Sequence, residues 1–170
     1  YSNGSMYFFP DVGRMEGVEV LKGAAAIGNG PRTTAGTINF LSRSIPTVAS
    51  EGHYSATMGA DGFSRNHTYY GGNIGSFGYV FEYHDYRADG YKNIKGSGNK
   101  DAGFDKQTDL VKFSFAPSTS PWNQTFEITS SNTSETSNET YIGLTGVDFA
   151  ADPYQRYGVS SVDQMDNDYH

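Results

Sequence analysis

Cysteine is absent from the whole chain, so neither a disulfide framework nor a thiolate metal site is available. That absence suits an oxidising compartment without excluding a reducing one. Long apolar runs are also missing: no stretch approaches the ~18 consecutive apolar residues of a membrane helix, a test that alternating membrane strands escape. Basic charge is scarce, with 12 Lys and Arg against 19 Asp and Glu and a pI near 4.9. Nucleic-acid binders draw much of their affinity from neutralised phosphates, so this balance disfavours that class. The chain also lacks an initiator Met and a signal peptide, and it stops at His170 where a new strand is expected to begin after Met165-Asp166-Asn167. It reads as an internal stretch of a longer polypeptide, and the missing leader says nothing about secretion.

What is present begins with Met15-Glu16-Gly17-Val18-Glu19-Val20-Leu21-Lys22-Gly23, then Gly28-Asn29-Gly30-Pro31-Arg32, then Gly36-Thr37-Ile38-Asn39-Phe40-Leu41-Ser42-Arg43. Two short runs rich in apolar and β-branched residues predict a small sheet, and the glycines and Pro31 between them predict a sharply turning link. A phosphate-cradling loop would need Lys and Ser/Thr directly after its last glycine. Here Lys22 precedes the glycines, which argues against nucleotide binding.

Composition shifts at Ile45-Pro46, beyond which Tyr and Phe rise and period-2 alternation begins. Five strands are expected, over Gly52–Ala60, Thr68–Ile74, Phe77–Asp85, Thr108–Ala116 and Trp122–Ser131, near the ~9–11 residues of a tilted barrel strand. Phe77, Tyr79, Phe81 and Tyr83 share one face, opposite Gly78, Val80, Glu82 and His84. Val111, Phe113 and Phe115 oppose Lys112 and Ser114. Trp122, Phe126 and Ile128 oppose Asn123, Thr125, Glu127 and Thr129. A soluble sandwich alternates in the same way, so connection lengths discriminate better. Short links at Gly75-Ser76 and Pro117 to Pro121 alternate with long ones at 86–107 and 135–165, the habit of an outer-membrane barrel with tight turns on one side and extended loops on the other. The first outer link, Asp61–Arg65, is short.

The 15–43 segment resembles the closing part of the plug domain of TonB-dependent outer-membrane receptors. Thr140-Tyr141-Ile142-Gly143-Leu144-Thr145, Asp148-Phe149-Ala150-Ala151-Asp152-Pro153-Tyr154, Arg156-Tyr157 and Met165-Asp166-Asn167 are similar to an external loop of the ferric dicitrate receptor subgroup. Pro10-Asp11, Arg14-Met15-Glu16 and Arg87-Ala88-Asp89-Gly90-Tyr91-Lys92 fit the same subgroup. Ala24 and Asn29 depart from it, standing where many members carry proline and an aromatic residue. The resemblance implies a β fold: the C-terminal part of a small α/β plug in residues 1–46, then the first strands and external loops of a transmembrane antiparallel barrel in residues 47–170, the whole barrel having roughly 22 strands.

It further implies a non-enzymatic role in the outer membrane, the uptake of a ferric chelate powered through the TonB energy-coupling protein. The expected partners are outer-membrane lipid, an anionic ferric chelate as cargo, and TonB through a segment outside this chain; no resident cofactor or metal is expected. Glu16 and Lys22 would anchor the plug, Lys22 near acidic residues of the barrel wall. Arg32 in the plug loop, Arg87 and Lys92 in the first long loop, and Tyr154 and Arg156 in the second are candidate ligand contacts, because guanidinium and ammonium groups meet an anionic chelate through charge-assisted hydrogen bonds. Tyr91, Tyr141 and Tyr157 would stack on the chelate or brace the loops. The alternative class is a secreted soluble β-sandwich adhesin or carbohydrate-binding module.

Other polar groups have plainer readings. His84 and Asp85 are adjacent on a strand and point to opposite faces, so they cannot share one ion. Asp163, Asp166, Asp168 and His170 lack the glycine of a calcium loop. No nucleophile and base order stands out, and the sequons at Asn66, Asn123, Asn132 and Asn138 are expected by chance in a chain so rich in Asn, Ser and Thr. For a membrane strand, arginine at Phe81 should be far more harmful than arginine at Glu82.

Overall fold

The structure, a computed structural model, describes residues 10–24, 28, 36–96, 102–117, 124–138 and 142–170. It is built mainly of antiparallel β-sheet and divides into two compact units, Tyr1–Ser44 and Ile45–His170.

In the first unit β1 (Gly17–Lys22) pairs antiparallel with β2 (Gly36–Leu41), placing Val18 opposite Phe40 and Val20 opposite Ile38. A single turn of 3-10 helix, Val12–Arg14, leads in, its Gly13 N–H donating to the Asp11 carboxylate. The Glu16 carboxylate then closes the unit. It accepts from Arg43 Nη1 at 2.8 Å, from the Ser44 backbone N–H at 2.8 Å and from the Ser44 hydroxyl at 2.6 Å. Val18, Val20 and Ile38 remain more than half exposed, as expected of a two-stranded ribbon too narrow to cover its own apolar face.

The second unit is a six-stranded antiparallel sheet formed by β3 (Glu51–Met58), β4 (Ser64–Ile74), β5 (Phe77–Ala88), β7 (Phe104–Phe115), β8 (Phe126–Asn138) and β10 (Gln164–Tyr169). Its order is β10-β8-β7-β5-β4-β3, so sequence neighbours are spatial neighbours throughout and β3 and β10 are the edges. Register follows from the turns. Gly75, at φ +64°, and Ser76 close a two-residue link, which sets Ile74 opposite Phe77 and hence His67 opposite His84. At the base of the sheet the lead-in passes close over small residues. A Cβ on Gly78 would lie 2.4 Å from Ser114 Oγ and 2.8 Å from Ile45 Cγ2, and one on Gly71 2.9 Å from Pro46 Cδ.

All five expected strands are present, but their loop-side ends differ. β4 starts at Ser64 rather than Thr68, β5 runs on to Ala88, β7 starts at Phe104 and β8 extends to Asn138. Most of these extensions are polar on both faces, with Ser64 to His67 in β4, Asp105 to Gln107 in β7 and Asn132 to Asn138 in β8, so period-2 hydrophobicity fades while the hydrogen-bond ladder continues. Trp122 and Asn123 lie outside the described residues. β10 is a sixth strand, pairing Met165 with Ser137 and Asn167 with Glu135.

The two faces differ sharply in what they expose. Phe77, Phe81, Phe113, Phe115, Phe126 and Ile128 share one face and are exposed, joined by Tyr54, Tyr70 and Ile74. Their rings touch one another across the strands, Phe77 with Phe115 at 4.8 Å and Phe81 with Phe113 at 5.6 Å between centroids. The opposite face carries polar and charged groups: His67, Glu82, His84, Lys106, Thr108, Thr133 and Ser137 are all buried. Towards the long loops the exposed face changes to Asn66, Asp85, Asp109 and Asn132, and Asn66 bridges Tyr54 and Asp85 at 3.3 and 3.0 Å. Among the described residues no helix is long and apolar enough to cross a membrane, which says nothing of strands.

Candidate functional site

Beyond the sheet, the two long loops are stitched together. β6 (Asn93–Ile94) from the first pairs in parallel with β9 (Gln155–Arg156) from the second, Asn93 N–H donating to Tyr154 O and Lys95 N–H to Arg156 O, each at 2.9 Å. Ile94 is buried beneath them. Gly158 lies so close to the first loop that a Cβ there would sit 2.6 Å from the Lys95 carbonyl oxygen.

The second loop has its own internal frame. Thr145 caps α1 (Gly146–Ala151) by accepting from the Asp148 N–H, and its hydroxyl donates to Asp148 Oδ2 at 2.5 Å. The Tyr157 phenol donates to the same oxygen at 2.5 Å and accepts from the Thr145 N–H at 3.1 Å. The hydrogen bonds from Thr145 and then Tyr157, with help from the nearby Lys95 charge, hold the Asp148 carboxyl below its ordinary pKa against an opposing desolvation. Tyr157 is therefore a brace.

This frame opens a cavity of about 540 Å³ between the loops, within the usual range for small-molecule sites. Tyr91, Leu144, Phe149 and Tyr154 give it apolar walls, and Lys92 and Arg156 supply its charge. The Tyr91 and Tyr154 rings meet edge to face, 6.2 Å apart, and Lys92 Nζ stands 5.2 Å from the centre of the Tyr91 ring. Arg156 Nη1 donates to the Gln155 carbonyl at 3.1 Å. Among the described residues no carboxylate forms an ion pair with Lys92 or Arg156.

Of the residues singled out in the sequence, Lys92, Tyr154 and Arg156 converge here. Arg87 does not. It lies exposed near the end of β5 opposite Asp105, beside a separate cavity of about 460 Å³ that also meets Asp89 and Thr136. Arg32 and Tyr141 fall outside the described residues. Glu16 is held by Arg43 and Ser44 within its own unit, and Lys22 is exposed at the end of β1 opposite Gly36. Phe149 and Leu144 were not singled out as contacts, although Phe149 sits in the loop motif; only the fold of α1 turns it to the cavity.

The sheet face that buries polar groups forms a second constellation. His67 Nε2 lies 2.8 Å from Glu82 Oε1, the His67 and His84 rings are 5.3 Å apart, and His53 stacks on Tyr69 at 5.7 Å. Lys106 pairs with Glu135 at 2.9 Å, and the Thr108 and Thr133 hydroxyls lie 3.1 Å apart. Asp85 lies on the other face from His84, as strand geometry requires. Glu82 is thus a buried carboxylate in contact with His67, so arginine there carries a cost of its own, which the comparison with Phe81 has to include. Among the described residues no group of three or more His, Asp or Glu side chains is arranged to hold a metal ion. Comparison with family models, curated proteins and solved structures finds no match to this chain.

Proposed function

We propose that the chain is the closing part of a plug followed by the first strands of a TonB-dependent outer-membrane receptor that imports a ferric chelate. The observation that carries this reading is the reversed sheet: a belt of touching aromatic rings is exposed while glutamate, histidine and lysine are buried behind it. In water that arrangement leaves apolar area wet; against hydrocarbon the belt is solvated, and the polar face belongs to a lumen. A soluble sandwich would need the belt covered by a second sheet, and the rings on β5 and β7 are exposed instead.

Strand length supports the same reading. The 12 residues of β5 or β7 extend ~40 Å, enough to cross a tilted span and continue into the outer aqueous layer, where the outward face changes to Asn and Asp. Among the described residues β3 and β10 are the outermost strands, which fits a sheet continued by further strands to closure. In this arrangement the β1 and β2 ribbon is plug, and the cavity at the β6 and β9 pair faces the outside, where its two cations meet an anionic chelate.

The test is growth of a strain carrying the complete gene, with ferric chelates as sole iron source. Uptake that depends on this gene, on TonB and on the proton gradient is expected, with the protein in the outer-membrane fraction. Recovery of the complete protein as a soluble secreted species would overturn the reading.

A further inference from the structure

We infer that the cavity between the two long loops receives a chelate bearing an aromatic arm as well as negative charge. This deepens the uptake reading and rests on it. Three rings that the loop frame holds apart from any core, Tyr91, Phe149 and Tyr154, are 60 %, 59 % and 57 % exposed, and all three border the same space. Exposed rings held in place by a capped helix and a strand pair gain most when an apolar or aromatic surface covers them. The charge stands at the same walls: Lys92 lies over the Tyr91 ring, and Arg156 of β9 borders the cavity with Tyr154, two residues before it. Of the loop's acids, Asp148 has its Oδ2 occupied by Thr145 and Tyr157, and Asp152 Oδ1 accepts from the Tyr154 N–H.

A compact hydroxycarboxylate chelate would satisfy the cations but leave the rings wet. A neutral aryl compound would cover the rings but waste the cations. An aryl-bearing anionic chelate, such as a ferric catecholate, addresses both.

The complete receptor in detergent is titrated with two iron(III) probes, a tris-catecholate and a citrate chelate, following intrinsic fluorescence. The catecholate is expected to bind about tenfold more tightly. Phe149→Leu and Tyr154→Ala should each erode that preference by roughly threefold by lowering catecholate affinity more than citrate affinity, and Arg156→Gln should weaken both probes. Folding of every variant is followed by the heat-dependent gel mobility of a closed barrel. Equal affinity for the two probes, or a preference that survives the Phe149→Leu/Tyr154→Ala pair, would overturn the aromatic-arm assignment and leave uptake standing. Binding of neither probe by the folded receptor would overturn both.

Discussion

At the scale of single residues, the same strand carries opposite demands on its two sides. Phe81 lies in the exposed belt, so if the proposed membrane reading holds, Phe81→Arg should cost ~2–4 kcal/mol in the complete protein in lipid. Glu127, exposed on the polar face beside Ser114, is the proper comparison, and Glu127→Arg should change urea unfolding in lipid vesicles little. Equal penalties at the two positions would reverse the facing. Glu82 behaves differently because it is buried against His67. Removing His67 alone strips a buried carboxylate of a close contact and should cost about 3 kcal/mol, whereas replacing both members by Leu should come close to the parent, because the desolvation of both groups is relieved together. Unfolding midpoints of the two single variants and the double variant check this non-additivity.

At the scale of elements, α1 depends on the Asp148 carboxylate. Its pKa is lowered in the folded loop, so the contribution is present above the ordinary value of 3.8 and is lost as pH falls through the lower, folded value. Below that range the Phe149 ring signals in NMR should lose their dispersion in the parent, and Asp148→Asn should show no such acid transition. The β6 and β9 pair depends on Gly158 instead. Gly158→Ala drives a methyl group into the Lys95 carbonyl and should speed hydrogen exchange at the Lys95 N–H, with the sheet itself unaffected. Such pairings mark the limit of what the sequence discloses. Strand identity is legible at Phe77–Tyr83 because alternation there is strong. The His67 and His84 contact was also within reach, since counting outward from the Gly75-Ser76 turn sets them opposite, but the strand reading stopped at Thr68, one residue short. The meeting of Asn93 with Gln155 was not legible. It joins segments about sixty residues apart through two-residue strands whose own side chains carry no period. Hence Lys92, Tyr154 and Arg156 were found as residue types in loops, while their convergence with Phe149 was not.

At the scale of the whole molecule, the exposed belt and the two free sheet edges predict how these 170 residues behave alone. In water the polypeptide should associate through β3, β10 and the aromatic face, and after refolding in micelles it should melt without a cooperative transition. A soluble monomer with a sharp calorimetric peak would instead require that the rings pack on each other. On the proposed uptake reading, the loop pairing also constrains how ligand preference can change. Because the first and second long loops share a strand pair and one set of cavity walls, neither is an independent cassette. Grafting one of them from another receptor would carry half a β ladder into a site built for a different half. Exchange of ligand preference by recombination should therefore succeed only when residues 89–103 and 139–163 move together, so the β6 and β9 pair makes one heritable unit of two loops that the sequence keeps apart.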